Sequence, residues 1–172
     1  MFGLIKKPKN KAIPEGIPLK VEHRIGIQAP AEVIWEILSD IDNWPTWNPT
    51  YPKASGKLGI GKQLDLTLAL PDTGPRDLAP YIADWVPETQ ILWTESFNAG
   101  MVKTVRFIEI ENLGPVNCIV SNGEQVDGLL AEIWLHKRRR ALKKGYGAMS
   151  EALRDKAEAL WRERSGVATS GA

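Results

Sequence analysis

The sequence predicts an α+β fold in which an antiparallel sheet is covered by one long helix. Several segments between residues 19 and 126 read as strands, some with clear alternation of apolar and polar residues, and turns rich in Pro, Gly or Asn separate the later ones. Strands joined by such short turns form an antiparallel sheet. After Gly128 the apolar residues recur with the period of a helix. A single amphipathic helix of this kind can cover one face of the sheet.

The first part of the domain combines a strand with helical segments. Residues 19–27 alternate as a half-buried strand. Pro30 fits the first turn of a helix whose apolar stripe runs to about Asp40. Residues 42–52 are dense in Trp, Pro and Asn, which predicts a structured loop or a second short helix. The segment 50–55 also fits a short strand.

Further strands and a final helix complete the predicted domain. The helix, residues 129–163, would be about 52 Å long at ~1.5 Å per residue, whereas a nine-residue strand spans only about 30 Å. We therefore expect the helix to overhang the sheet or to bend, and Gly145 and Gly147 are the natural place for a bend. The predicted strands lie at 61–70, 79–86, 90–97, 101–111 and 116–126.

Composition limits the classes of protein that this chain can represent. Its 172 residues suit one domain, and 22 basic against 21 acidic residues give a net charge of +1, so no specific nucleic-acid partner is expected. One cysteine and two histidines argue against a metal centre, and no cofactor is predicted.

No apolar segment approaches the ~20 residues of a membrane span, and the N-terminus lacks the charge order of a secretory signal. We expect a cytoplasmic protein with a basic arm (1–18), a folded domain (19–164) and a flexible tail (165–172).

Four motifs in order resemble the START-like, or SRPBCC, superfamily, and the similarity is closest to polyketide cyclase/dehydrase-like members. The resemblance covers about residues 19–163 and implies a helix-grip fold, in which a curved antiparallel sheet wraps the C-terminal helix around a hydrophobic cavity. Two short helices after the first strand would close one end. Members bind lipids, sterols or polyketides, and some catalyse reactions on them. The motifs are the run Ile27–Asp40, the loop Trp44-Pro-Thr-Trp47-Asn48-Pro49, Pro87 followed by Leu92-Trp93, and Glu124-Gln-Val-Asp-Gly128-Leu-Leu.

Three polar residues on predicted inward faces are candidates for chemistry. His23 could bond a ligand carbonyl, act as an acid or base, or bond a backbone carbonyl in the core. Glu124 matches the family's motif, and a buried carboxylate there needs a partner or a proton, so it could contact ligand or anchor the helix start. Arg138 could pair with Glu124, meet a ligand carboxylate at the cavity mouth, or keep its head group in water.

These residues lead to three functional hypotheses. The first is the binding of a small hydrophobic ligand between sheet and helix. The second is a cyclase or dehydratase that uses His23 or Glu124 in acid/base catalysis. The third is a protein- or ribosome-interaction module that uses the basic face of the helix. A monomer or weak dimer is expected. The predicted ligand-binding residues are His23, Trp35, Leu66, Trp93, Val120, Asn122, Glu124, Arg138, Leu142, Tyr146 and Met149.

Overall fold

A computed structural model describes residues 19–166 of the chain. The predicted basic arm, residues 1–18, and residues 167–172 of the predicted tail lie outside the described residues. The described elements are β1 (Lys20–Ile27), α1 (Ala31–Ser39), a 3-10 helix (Ile41–Thr46), β2 (Lys53–Ser55), β3 (Asp65–Leu68), β4 (Arg76–Leu78), β5 (Tyr81–Val86), β6 (Gln90–Phe97), β7 (Val102–Gly114), β8 (Asn117–Asp127) and α2 (Ala131–Ser165).

The strands form two antiparallel sheets. The larger sheet has the order β1-β8-β7-β6-β5, and the smaller has the order β2-β3-β4. Consecutive strands from β5 to β8 pair as hairpins, and β1 joins the sheet beside β8. The first strand of the domain therefore lies against the last one. The strands and the long C-terminal helix confirm the predicted α+β helix-grip architecture.

The helix α2 packs mainly on β1 and β8 of the larger sheet. Its predicted apolar stripe is buried, since Leu142, Tyr146 and Met149 are at most 2% exposed. The predicted polar side is exposed. α2 ends at Ser165, where Gly166 caps it in a left-handed conformation at φ 66°.

The two glycines predicted to bend α2 lie within one uninterrupted helix, and close packing requires glycine only at Gly145. A Cβ atom at Gly145 would lie 2.6 Å from Cδ2 of Leu70, so only glycine fits there without a shift of that side chain. A Cβ atom at Gly147 would lie 3.5 Å from the His23 ring, which is ordinary contact.

The observed strands differ from the predicted ones around the smaller sheet. The predicted strand 61–70 is regular only over Asp65–Leu68, and the sequence pattern did not reveal β4, Arg76–Leu78. Pro75 and Pro80 flank β4, and because proline cannot donate to a strand ladder, they restrict it to three residues. The short strand near 50–55 and the short helix after Asp40 are confirmed. Within residues 19–166, no helix combines the length and apolarity needed to cross a bilayer.

Candidate functional site

A half-open cleft lies between the smaller sheet and the N-terminal half of α2. Its volume of about 350 Å³ falls within the range of sites that hold small molecules. Both layers of the fold contribute to its walls, so the cleft is a product of how sheet and helix meet. The lining residues are Leu68, Leu70, Thr73, Gly74, Arg76, Trp134, Lys137, Arg138 and Leu142.

Local periodicity explains which side chains reach this cleft. Trp134, Arg138 and Leu142 are spaced by four residues, so they lie on one face of α2. On the opposite wall, Leu68 and Leu70 are two residues apart and point the same way from the chain. These four apolar side chains and the stem of Arg138 therefore give the cleft a largely hydrophobic surface.

Among the described residues, the charged side chains that line the cleft are all cations. Arg76 donates a hydrogen bond of 2.6 Å to Glu95 Oε2, so its charge is compensated. The Arg138 guanidinium lies over the Trp134 ring, 4.9 Å from the ring centroid, which orients it by a cation–π contact. Among residues 19–166, neither Lys137 nor Arg138 forms an ion pair. The mouth of the cleft therefore carries positive charge.

A chain of charged groups runs from the cleft into the interior. Glu95 lies between Arg76 and Arg106, and its Oε2 atom is 3.6 Å from Arg106 Nη1. Arg106 Nη2 donates to Glu124 Oε1 at 3.3 Å, and the Tyr146 hydroxyl donates to Glu124 Oε2 at 2.9 Å. Because Arg106, Glu124 and Tyr146 are at most 2% exposed, these bonds are shielded from solvent. We call Arg106, Glu124 and Tyr146 the buried polar network.

Strand register and burial set the protonation states in this network. Arg106 on β7 is directly opposite Glu124 on β8, and α2 supplies Tyr146. Burial, the largest single effect, disfavours the charge of Arg106, but Glu124 together with Tyr146, Tyr51 and Glu95 outweighs that penalty and raises the pKa of the guanidinium. Burial, followed by the charge of Glu124, raises the pKa of Tyr146 well above its usual value. Arg106 therefore stays charged and Tyr146 stays a neutral donor at ordinary pH.

Buried polar atoms without a partner lie beside this network. Tyr51 Oη, Trp93 Nε1 and Asn122 Oδ1 have no hydrogen-bond partner among the described residues, and the same holds for Nε and Nη1 of Arg106. Trp93 is the cross-strand partner of Arg106, and the rings of Tyr51 and Trp93 lie 6.3 Å apart. Burial raises the pKa of Tyr51, so its hydroxyl stays protonated. Most of these atoms are donors, and such donors suit a carbonyl or other acceptor oxygen.

The structure places the predicted ligand-binding residues in several different environments. Arg138 and Leu142 line the cleft, whereas Glu124 and Tyr146 contact each other in the network. Asn122 Nδ2 donates to the Tyr146 carbonyl at 3.3 Å. Four others, Leu66, Trp93, Val120 and Met149, belong to the buried core, and the partly buried Trp35 stacks on Trp85 with ring centroids 6.2 Å apart.

One suggested pairing is wrong, and His23 has a side-chain partner that the sequence did not predict. Glu124 pairs with Arg106 and not with Arg138, because the hairpin register brings Arg106 against it while Arg138 faces the cleft. His23 has its Nδ1 atom 3.0 Å from the hydroxyl of Ser150 and not from a backbone carbonyl, and its contact with a ligand stays a prediction. Because Ser150 lies on α2, this bond ties the first strand to the final helix.

Sequence reasoning missed Arg76, Glu95 and Arg106, although a signal for Arg106 is present. The inward positions of β7 read Val102, Thr104, Arg106, Ile108 and Ile110, so the arginine interrupts an otherwise mostly apolar face. The position of its partner, Glu124, could also have been predicted from the sequence. The turn at Pro115 lies nine residues from both position 106 and position 124, so the symmetry of a hairpin predicts their pairing.

The fold and cleft together define a helix-grip protein that leaves a partly apolar space between its sheet and its C-terminal helix. The chain belongs to the family described as polyketide cyclase / dehydrase and lipid transport, whose sequence model matches residues 18–158. No protein of curated function matches the sequence.

Several solved structures share this fold. The Zhui aromatase/cyclase from Streptomyces sp. R1128 is 17% identical, with a TM-score of 0.68 over 86% of this chain and 96% of that one. A START superfamily protein from Mycobacterium smegmatis is 19% identical, with a TM-score of 0.63 over 82% and 98% of the two chains. Norcoclaurine synthase from Thalictrum flavum is 18% identical, with a TM-score of 0.60 over 82% and 94%. At these identities the likeness establishes the fold.

Proposed function

We propose that this protein binds a small hydrophobic molecule in the cleft between the smaller sheet and α2. The observation that carries the proposal is the cleft itself, about 350 Å³, with apolar walls contributed by both layers. Leu68, Leu70, Trp134 and Leu142 would exclude water from an apolar ligand, and the area removed from water supplies affinity. The family's association with polyketides and lipid transport supports a ligand of this class.

An environment-sensitive apolar dye tests this proposal. Gly74 lines the cleft, and a Cβ atom there would meet open space, so Gly74→Trp fills the cleft without a clash in the core. We expect the wild type to bind one dye molecule and Gly74→Trp to lose binding at least about tenfold. Gly114 also has open space at its Cβ position and lies at the end of β7, so Gly114→Trp is the matched control. Equal dye affinity in all three proteins would refute the proposal.

Catalysis of a cyclase or dehydratase type is the second candidate. The buried polar network favours it, because a hydroxyl and a carboxylate in contact can exchange a proton. Binding has better support, since Glu124 is fully buried and both of its oxygens are engaged by Arg106 and Tyr146. The interaction role of the basic helix face, the cytoplasmic location and the oligomeric state stay predictions.

A further inference from the structure

We propose that the molecule held in the cleft is amphipathic and carries a carboxylate head group that Arg138 and Lys137 bind at the mouth. This inference rests on the proposed function and adds the chemical class of the ligand. Its starting point is the asymmetry of the cleft, whose apolar walls end at three cations and include no carboxylate from residues 19–166. An apolar molecule without charge would displace water from beside those cations and supply no partner for their charge.

The charges at the mouth are not equivalent. Arg76 is compensated by Glu95, with Nη2 2.6 Å from Oε2. Asp72, on the turn beside the cleft, is 3.4 Å from Lys144 Nζ and is compensated in the same way. Lys137 and Arg138 thus supply the uncompensated charge of this opening within the described residues.

Geometry makes Arg138 the primary anchor. Its guanidinium is held over the Trp134 ring at 4.9 Å, and its side chain is partly buried, so less conformational freedom is lost when an anion binds. A planar guanidinium matches a carboxylate through two parallel hydrogen bonds. Lys137 precedes Arg138 on the same helix and adds an exposed ammonium at the rim. The apolar part of the ligand would then extend along Trp134 and Leu142.

A comparison of decanoate with decanol separates the contribution of the head group to binding from that of the alkyl chain, because the two probes differ only at the polar end. Their dissociation constants are measured by displacement of the apolar dye, at neutral pH, at low salt and below micelle-forming concentrations. We expect decanoate to bind about tenfold more tightly than decanol, with a preference that declines as salt screens the charges. The Lys137→Gln/Arg138→Gln variant should bring the two constants close together, because it removes the charges that distinguish the two probes.

Two further variants make the test specific. Arg140→Gln/Lys143→Gln removes the same charge from exposed positions of α2 outside the cleft, and it should keep the preference for decanoate. Arg138→Lys keeps the charge without the planar fork, and it should retain part of the preference.

The outcomes separate this inference from the proposed function. Equal binding of decanoate and decanol to the wild type, or an equal loss of preference in both double variants, would overturn the head-group assignment alone. Failure of both probes to bind, or tight decanoate binding that Gly74→Trp does not weaken, would overturn binding in the cleft and the head-group assignment with it.

Discussion

Arg106 lies fully buried between two carboxylates, those of Glu95 and Glu124. Removing a guanidinium from water is costly, and a buried pair repays that cost only with good geometry and further hydrogen bonds. Tyr146 supplies one such bond to Glu124. At the residue scale, therefore, the network is a set of mutually dependent groups. Loss of one member should be far more damaging than loss of a matched pair.

A double-mutant cycle tests this dependence. Arg106→Met leaves Glu124 buried without its cation, and Glu124→Leu leaves the buried Arg106 with only the more distant Glu95, at 3.6 Å, so each should lower the free energy of unfolding by about 3–5 kcal/mol. The combined variant removes both charges. Its loss of unfolding free energy should be smaller than the sum of the two single losses by roughly 1–3 kcal/mol. Urea denaturation provides the values.

The control cycle uses an exposed pair. Arg24 and Glu111 are 2.9 Å apart, but their side chains are 55% and 59% exposed. Arg24→Met and Glu111→Leu should therefore couple by less than about 1 kcal/mol. A buried cycle whose effects simply add, like those of the exposed pair, would show that Arg106 and Glu124 do not depend on each other.

At the element scale, α2 packs on the larger sheet and also lines the cleft. Its two central glycines contact different parts of the fold. Gly145 faces Leu70, which lines the cleft, whereas Gly147 faces His23 on β1. Each glycine weakens the helix by backbone entropy. At Gly145 the lost helix stability permits a close approach of α2 to Leu70, which a larger residue would prevent. At Gly147 there is room for a methyl group, so no such approach requires glycine.

Alanine at each glycine distinguishes these roles. Gly147→Ala should raise the free energy of unfolding by about 0.5–1 kcal/mol, because helix propensity improves and the new Cβ atom meets His23 at ordinary contact distance. Gly145→Ala should give a smaller gain or a loss, since Leu70 has to move. The comparison is made by urea denaturation of both variants. A larger gain at position 145 than at position 147 would contradict the packing described here.

Local patterns predicted the elements, and long-range geometry determined the site. Leu66 and Leu142 could be assigned to buried faces because strand and helix periods are properties of neighbouring residues. The cleft depends on how the smaller sheet meets α2, and no local period encodes that approach. Arg76 was missed for a related reason, since it lies in a three-residue strand between prolines. The pairing of Arg106 with Glu124 required the hairpin register in addition to the alternation.

At the scale of the whole molecule, the cleft and the buried polar network are neighbouring parts of one interior. Arg76 belongs to the wall of the cleft and bonds Glu95, which in turn lies beside Arg106. The network holds β7, β8 and α2 together, while the side of α2 that faces the smaller sheet remains accessible to a ligand. The proposed binding function depends on this arrangement, in which the buried polar network is closed to solvent and the cleft is open to it.

Native mass spectrometry of gently purified protein tests the binding function most directly. We expect the wild-type chain and Gly114→Trp to retain a small molecule of the same mass, and Gly74→Trp, which fills the cleft, to retain none. A wild-type chain without added mass, or an added mass that persists unchanged in Gly74→Trp, would contradict the claim that this cleft holds a ligand.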